Sequence, residues 1–250
     1  MNYERLIPPA LLWRLTRKSR EATEAESFRK LYSSFLSPGD LCFDIGANLG
    51  NRIRGFRQIG CKVIALEPQS LCHARLVTSF GTDPHVILRN EAAGAEEGIL
   101  EIMIAQNHVL SSLSPEFIRK TTESGRFRGM NWDRKESCKV TTLDSLIATY
   151  GMPRFVKIDV EGYEPEVLAG LNSAVPALSL EWTPELSENA LRCISRLSSL
   201  GSYEFNLSWG ESMKFSREIW RSEQSIGNLI QEVAGETHLF GDIYARLKQP

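Results

Sequence analysis

The chain has 250 residues, of which 42% are hydrophobic, 24% charged and 9% aromatic, a composition that excludes collagen, coiled coil and intrinsic disorder as readings of the whole. Its 29 Lys and Arg stand against 31 Asp and Glu for a formal charge of −2, so no net field draws it to a polyanion such as nucleic acid. The five cysteines (Cys42, Cys61, Cys72, Cys138 and Cys193) show no C-x-x-C spacing, which argues against a zinc cluster and fits reduced thiols in a cytoplasmic setting.

At the N-terminus, Pro8, Pro9 and Arg14 confine the apolar run to a few residues, too few for a signal-peptide core, and nothing later approaches the roughly 20 apolar residues of a membrane span. Residues 1–40 are expected to form a helical extension ahead of one domain over residues 41–250. The basic stretch Arg5 to Arg20, with Leu11, Leu12, Trp13 and Leu15, reads as a helix packed on that domain or on a second subunit of a homo-oligomer. Peripheral contact with an anionic membrane is the alternative.

From Leu41 onward, short apolar runs alternate with helical stretches, the sequence form of a βαβ sheet covered on both faces. Strands are expected at Leu41 to Ile45, Lys62 to Glu67, His85 to Arg89, Arg154 to Asp159 and Ala177 to Trp182, all pairing in parallel. Helices are expected over Asn48 to Gly60, Pro68 to Phe80, Leu143 to Tyr150 and Tyr163 to Leu171, ended by glycine or proline. An amphipathic helix from about Glu185 to Leu200 precedes two late strands, Tyr203 to Ser208 and Ile243 to Leu247, expected as an antiparallel edge. Two more strands, over residues 99–104 and 138–142, flank the polar segment Ala105 to Ser137. That segment is too long for a plain connector and reads as a candidate lid, a solvated loop being the alternative.

The most informative stretch is FDIGANLGN, Phe43 to Asn51, where an apolar strand runs into a glycine-bearing turn and then a helix. Gly46 permits a sharp turn and a ligand's approach without a Cβ in the way, and Gly50 permits close packing of the helix on strand or ligand. The helix N-terminus offers unpaired N–H groups to an anionic group such as a carboxylate. Glu67 ends the next strand, where a carboxylate can accept two hydrogen bonds from a ribose diol. A dinucleotide fingerprint needs G-x-G-x-x-G, whereas this turn carries Gly46, Asn48 and Gly50, an incomplete pyrophosphate cradle. Asp44 beside it opposes a diphosphate but favours the ammonium and sulfonium charges of S-adenosyl-L-methionine. The expected cofactor contacts are therefore Asp44, Gly46, Asn48, Gly50 and Glu67. The alternatives are a helix-capping role for Asp44 and a solvated strand end for Glu67.

Four blocks in order, FDIGANLGN, ALEP (Ala65 to Pro68), KVTTLDSL (Lys139 to Leu146) and VKIDVEGYEPEVLAG (Val156 to Gly170), resemble the FkbM-type methyltransferases over about Leu41 to Trp182. The resemblance implies an α/β, class I methyltransferase Rossmann-like fold: a mostly parallel seven-stranded sheet with an antiparallel edge strand and helices on both faces. It also implies S-adenosyl-L-methionine as donor, with Asp44, Gly46 and Glu67 at cofactor contacts. Members of known role typically methylate hydroxyls of sugars or polyketides.

Catalytic residues are sought in the fourth block. Asp159 and Glu161 fall at the carboxyl end of a central strand, with Lys157 on the same strand face as Asp159. Methyl transfer from a sulfonium is an in-line displacement, so the protein must align the acceptor oxygen and help remove its proton, a task for Asp159. His108, at the mouth of the candidate lid, is a further candidate base, and Trp182 is read as lining the pocket. No metal is assigned. The alternative is a divalent cation on hard oxygen ligands from Asp159, Glu161 and Glu181; capping of the following helix by Asp159 and Glu161 is the plain reading against it.

The resulting expectation is an S-adenosylmethionine-dependent O-methyltransferase, EC 2.1.1, with a small-molecule or sugar-containing acceptor, no nucleic-acid partner and a cytoplasmic location. The competing classes are a catalytically silent nucleoside-binding regulatory domain and an NAD-dependent oxidoreductase. The first is opposed by intact Asp44, Glu67 and Asp159, the second by Asn48 where a glycine is needed and by the absence of a Tyr-x-x-x-Lys pair.

Overall fold

The computed structural model describes residues 26–248. The basic stretch Arg5 to Arg20 lies outside the described residues, and of the expected N-terminal extension a helix over residues 26–32 (α1) is seen. No helix among the described residues is long and apolar enough to cross a membrane.

The apolar runs form the strands expected of them. The strands β1 (Leu41–Ile45), β2 (Lys62–Leu66), β3 (Val86–Arg89), β7 (Phe155–Ile158) and β8 (Ala177–Trp182) pair in parallel. Between them lie α2 (Asn51–Ile59), α3 (Ser70–Phe80), α5 (Leu143–Tyr150) and α6 (Glu164–Ala169), followed by α7 (Ser187–Leu200). The late strands β9 (Tyr203–Trp209) and β10 (Gly241–Leu247) complete a seven-stranded sheet in the order β3-β2-β1-β7-β8-β10-β9. The last strand inserts between β8 and β9, antiparallel to both. Helix α8 (Glu223–Glu232) links those late strands. It starts at Ser222, whose hydroxyl accepts from the Ser225 N–H, a capping signal that the sequence reading passed over.

Strand alternation sends side chains to two faces. Phe43, Ile45, Val156, Ile158, Leu178 and Leu180 join the core under α5 to α8. The opposite face carries Cys42, Phe155, Ala177 and Tyr244, covered by Phe28, Leu31, Tyr32 and Phe56 of α1 and α2. On this second face the same alternation places a polar row at the carboxyl end of the sheet: Asp44 pairs in register with Lys157, Lys157 with Ser179, and Glu181 with Asp242.

The segment expected to be a lid differs from a solvated loop. Residues Arg134–Thr141 form β6, which pairs with β4 (Glu91–Ala93) and β5 (Gly98–Ile104) in a separate three-stranded sheet, so the expected boundary at Ser137 falls inside a strand. Between β5 and β6 a 3-10 turn, His108–Leu110, precedes α4 (Pro115–Ser124). Ser114 caps α4 by accepting from the Phe117 N–H, and Pro115 fills its first position, where a missing N–H does no harm. Leu110 and Phe117 bury themselves with Leu186 while Phe127, Met130 and Trp132 pack alongside. That apolar anchorage lays the segment on the domain.

Candidate active site

Order reversal between β1 and β7 opens a crevice at the carboxyl ends of the strands, where open α/β sheets bind ligands. The crevice here is a cavity walled on one side by Gly46, Asn48 and Glu67 and on the other by Asp159, Glu161 and Tyr163. Ala92 and Ile102 supply apolar lining, while Val109, Ser111 and Ser112 roof it from the segment after β5.

The turn after β1 is built from backbone. Gly46 and Ala47 both donate N–H groups to the Leu66 carbonyl, at 3.0 and 2.9 Å, which ties the turn to the end of β2. Asn48 has φ of 49° and Gly46 of 85°, both left-handed. A Cβ on Gly46 would stand 1.9 Å from the Asp159 carbonyl oxygen, so the missing side chain serves the close approach of the turn to β7 rather than that of a ligand. At Gly50 a Cβ would meet the Phe80 ring at 2.4 Å, so this glycine admits α3. The cap of α2 has no side-chain hydrogen bond, leaving first-turn N–H groups for an anionic guest.

Glu67 is 2% exposed. Its Oε2 accepts from the Asn48 N–H and its Oε1 from the Gln69 N–H, both at 2.8 Å, and each oxygen keeps a further lone pair. Burial pushes its carboxyl up to about 7 against those two bonds. Asp44 lies deeper, 1% exposed, behind the cavity wall rather than on it. Burial also pushes Asp44 up to about 7, with Lys157 and Arg52 pulling the other way, and its Oδ2 has no hydrogen-bond partner.

Lys157, proposed from sequence beside Asp159, is completely buried. Its Nζ donates to Asp159 Oδ2 at 3.1 Å and to Asp242 Oδ1 at 3.0 Å. An ammonium so engaged does not line the cavity and cannot touch a substrate there; it holds Asp159. Burial opposes ionisation of Asp159, yet Lys157 and Arg52 outweigh it and keep this carboxyl below the usual range. The start of α6 has no side-chain cap; Glu164 at its first position instead supports the turn before it, its Oε1 accepting from the N–H groups of Val160 and Gly162. The Glu161 carboxylate is not part of that support. With φ of 52° this residue turns into the site, where carboxylate oxygens of Asp159, Glu161 and Glu181 lie within 4.8 Å of one another. Burial and then mutual repulsion push Glu161 and Glu181 well above their ordinary values.

His108 takes a different part from the one expected. It is not among the residues that line the cavity; its backbone carbonyl accepts from Gln69 Nε2 at 3.0 Å and Asn48 Nδ2 at 3.5 Å. Its Nδ1 is buried without a partner, and burial lowers its proton affinity. Trp182 lines a smaller cavity next to the cluster, together with Gly162, Glu181 and Thr183. Sequence reasoning missed Gln69, Ser111, Ser112, Glu164 and Asp242. Asp242 was reachable, since it continues the alternation of Ile243 to Leu247 by one residue.

The family model described as methyltransferase FkbM domain matches residues 44–205. No curated protein matches the chain. Similar solved structures include precorrin-6Y C5,15-methyltransferase from Geobacter metallireducens, 11% identical, with TM-score 0.48, covering 90% of this chain and 86% of that one. A TehB-like SAM-dependent methyltransferase from Corynebacterium glutamicum is 10% identical, with TM-score 0.39, covering 97% of this chain and 100% of that one. An rRNA methylase from Streptococcus thermophilus is 10% identical, with TM-score 0.38, covering 88% and 94% respectively.

Proposed function

The chain belongs to the FkbM methyltransferase family, and from that premise we propose that it is a cytoplasmic O-methyltransferase that moves the methyl of S-adenosyl-L-methionine to a hydroxyl of a small-molecule or sugar-containing acceptor. One observation carries the reading: a single cavity has Glu67, with a free lone pair on each oxygen, at one end and Asp159 and Glu161 at the other, with Glu181 beside them from the neighbouring smaller cavity. The donor fits the first end. Glu67 suits a ribose diol, the uncapped start of α2 suits a carboxylate, and the partnerless Oδ2 of Asp44 leaves negative charge behind the turn for a cationic ligand. When bound, the donor supplies a methyl on a sulfonium sulfur, open to in-line displacement.

The chain's own residues do the rest. Asp159, ionised and oriented by Lys157, accepts the hydrogen bond of the acceptor hydroxyl and sets its oxygen on line. Glu161, when ionised, is the stronger base of the two and takes the proton. The segment after β5 excludes water from the donor end.

The three carboxylates support a second reading, in which a hard divalent cation such as Mg²⁺ relieves their repulsion and acidifies the acceptor hydroxyl. Convergence of three oxygens within 4.8 Å favours it. A Mg²⁺ titration that leaves Trp182 fluorescence unchanged, with transfer insensitive to chelator, removes this second reading alone.

The decisive experiment incubates the protein with methyl-labelled donor and separate fractions of glycans, lipids, small metabolites and RNA. Label in a hydroxyl-bearing glycan or metabolite is expected; label in RNA overturns the acceptor class. Calorimetry should find donor binding in the micromolar range, about −8 kcal/mol, and binding of NAD without binding of the donor overturns the cofactor.

A further inference from the structure

The five residues from His108 to Ser112 form a strap that touches both ends of the cavity. At the donor end, Gln69 grips it twice, donating from Nε2 to the His108 carbonyl at 3.0 Å and accepting at Oε1 from the Ser111 hydroxyl at 2.8 Å. At the other end the Ser112 hydroxyl donates to the Glu161 carbonyl at 2.7 Å. Gln69 is also the residue whose N–H holds Glu67. One short piece of chain therefore links the group expected to bind ribose with the turn that carries Glu161.

That turn needs holding. Glu161 sits at φ 52° and Gly162 at 88°, and left-handed backbone at a non-glycine residue is strained unless its surroundings over-determine it. Three side chains supply the restraint: Glu164 from α6, Asn189 from α7, which donates to the Gly162 carbonyl at 3.2 Å, and Ser112. The first two belong to the body of the domain. Ser112 alone of the three comes from the segment that roofs the cavity, and it is 1% exposed, so water does not substitute for it. Charge repulsion adds to the strain, because the turn brings Glu161 against Asp159 and Glu181.

We propose that Ser112 is a positioning residue for Glu161, through which seating of the strap over the bound donor completes the carboxylate cluster. With the strap away, the Glu161 carbonyl loses a hydrogen bond, and the turn relaxes toward an ordinary conformation that withdraws the carboxylate. The acceptor end is then assembled only after the donor end is filled. This rests on the reading that the cavity holds the donor nucleoside.

The test uses hydrogen–deuterium exchange on the full chain with and without S-adenosylhomocysteine, which needs no acceptor. In the wild type the ligand should slow exchange in peptides covering both residues 108–113 and 160–163. In Ser112→Ala the ligand should still bind and still protect the strap, but the turn should exchange about fivefold faster than in the liganded wild type. Ser112→Thr, which keeps the hydroxyl, should restore protection of the turn. Unchanged protection of the turn in Ser112→Ala, or ligand binding to the wild type without any effect at residues 160–163, overturns the proposal. Should Ser112→Ala not fold, Gln69→Ala replaces it: loss of protection at both strap and turn supports the coupling, and loss at the strap alone refutes it. A wild type that binds no S-adenosylhomocysteine overturns the donor reading itself, and this proposal with it.

Discussion

Lys157 and Asp242 meet across the sheet with β8 between their strands: Nζ lies 3.0 Å from Oδ1, and the lysine is wholly buried. The antiparallel insertion of β10 sets Asp242 opposite Glu181, and from there it shares with Asp159 the ammonium that fixes the site.

Because one carboxylate remains after its removal, Lys157 in Asp242→Asn is left half-satisfied rather than stranded. The expected loss is about 2 to 3 kcal/mol of unfolding free energy, read from urea denaturation. A loss below about 0.5 kcal/mol would mean that Asp159 alone suffices for the buried charge.

The carboxyls of Asp44, Glu67 and Glu164 are each pushed up to about 7, chiefly by burial. The native state therefore keeps protons that the unfolded chain has already released, and these groups' contribution to stability, present in acid, is lost as pH rises through 7. Thermal unfolding of the donor-free protein should show that contribution falling between pH 6 and pH 8. A cationic donor favours ionised Asp44, so binding near pH 6.5 should release protons, seen as different calorimetric heats in buffers of unlike ionisation enthalpy. Identical heats after correction would take Asp44 out of the donor's field.

Gly46→Ala forces a Cβ to 1.9 Å from the Asp159 carbonyl oxygen at φ of 85°. Gly39 has nearly the same backbone, φ of 92°, with nothing within 4 Å. Alanine at Gly39 should cost about 1 kcal/mol from conformation alone, and at Gly46 at least about 3 kcal/mol. Equal losses in denaturant midpoints would show that the close approach of turn and strand carries no weight.

Glu67 accepts a backbone N–H on each oxygen, so a glutamine there must turn its NH₂ against one of two donors. Glu67→Gln should destabilise the fold by about 1 to 3 kcal/mol, and Glu67→Ala should weaken donor binding by about 1.5 to 3 kcal/mol. Wild-type donor affinity in Glu67→Ala, measured by calorimetry, would remove the residue from the site.

Asp159→Asn should lower methyl transfer by about a hundredfold while donor affinity stays near that of the wild type. Equal losses in both would give Asp159 a structural task only.

The amino-acid sequence by itself determined what depends on neighbours along the chain. Short apolar runs between helical stretches marked the sheet strands, glycines marked the turn after β1, and a strand followed by Glu67 marked the proposed donor end, because each of these signals is local in the chain. The start of β6 was blurred where the charged residues Arg134 to Glu136 extend the strand beyond its apolar part. Tertiary structure alone decided the rest. Lys157 is a holding group because Asp242 arrives from a strand far along the chain. Glu161 points into the site while Glu164 supports the turn from within, because Ser112 and Asn189 clamp that turn from separate segments. Burial and hydrogen bonding between remote segments follow from strand order and register, and no local periodicity encodes which distant side chain will fill a given partner's lone pair.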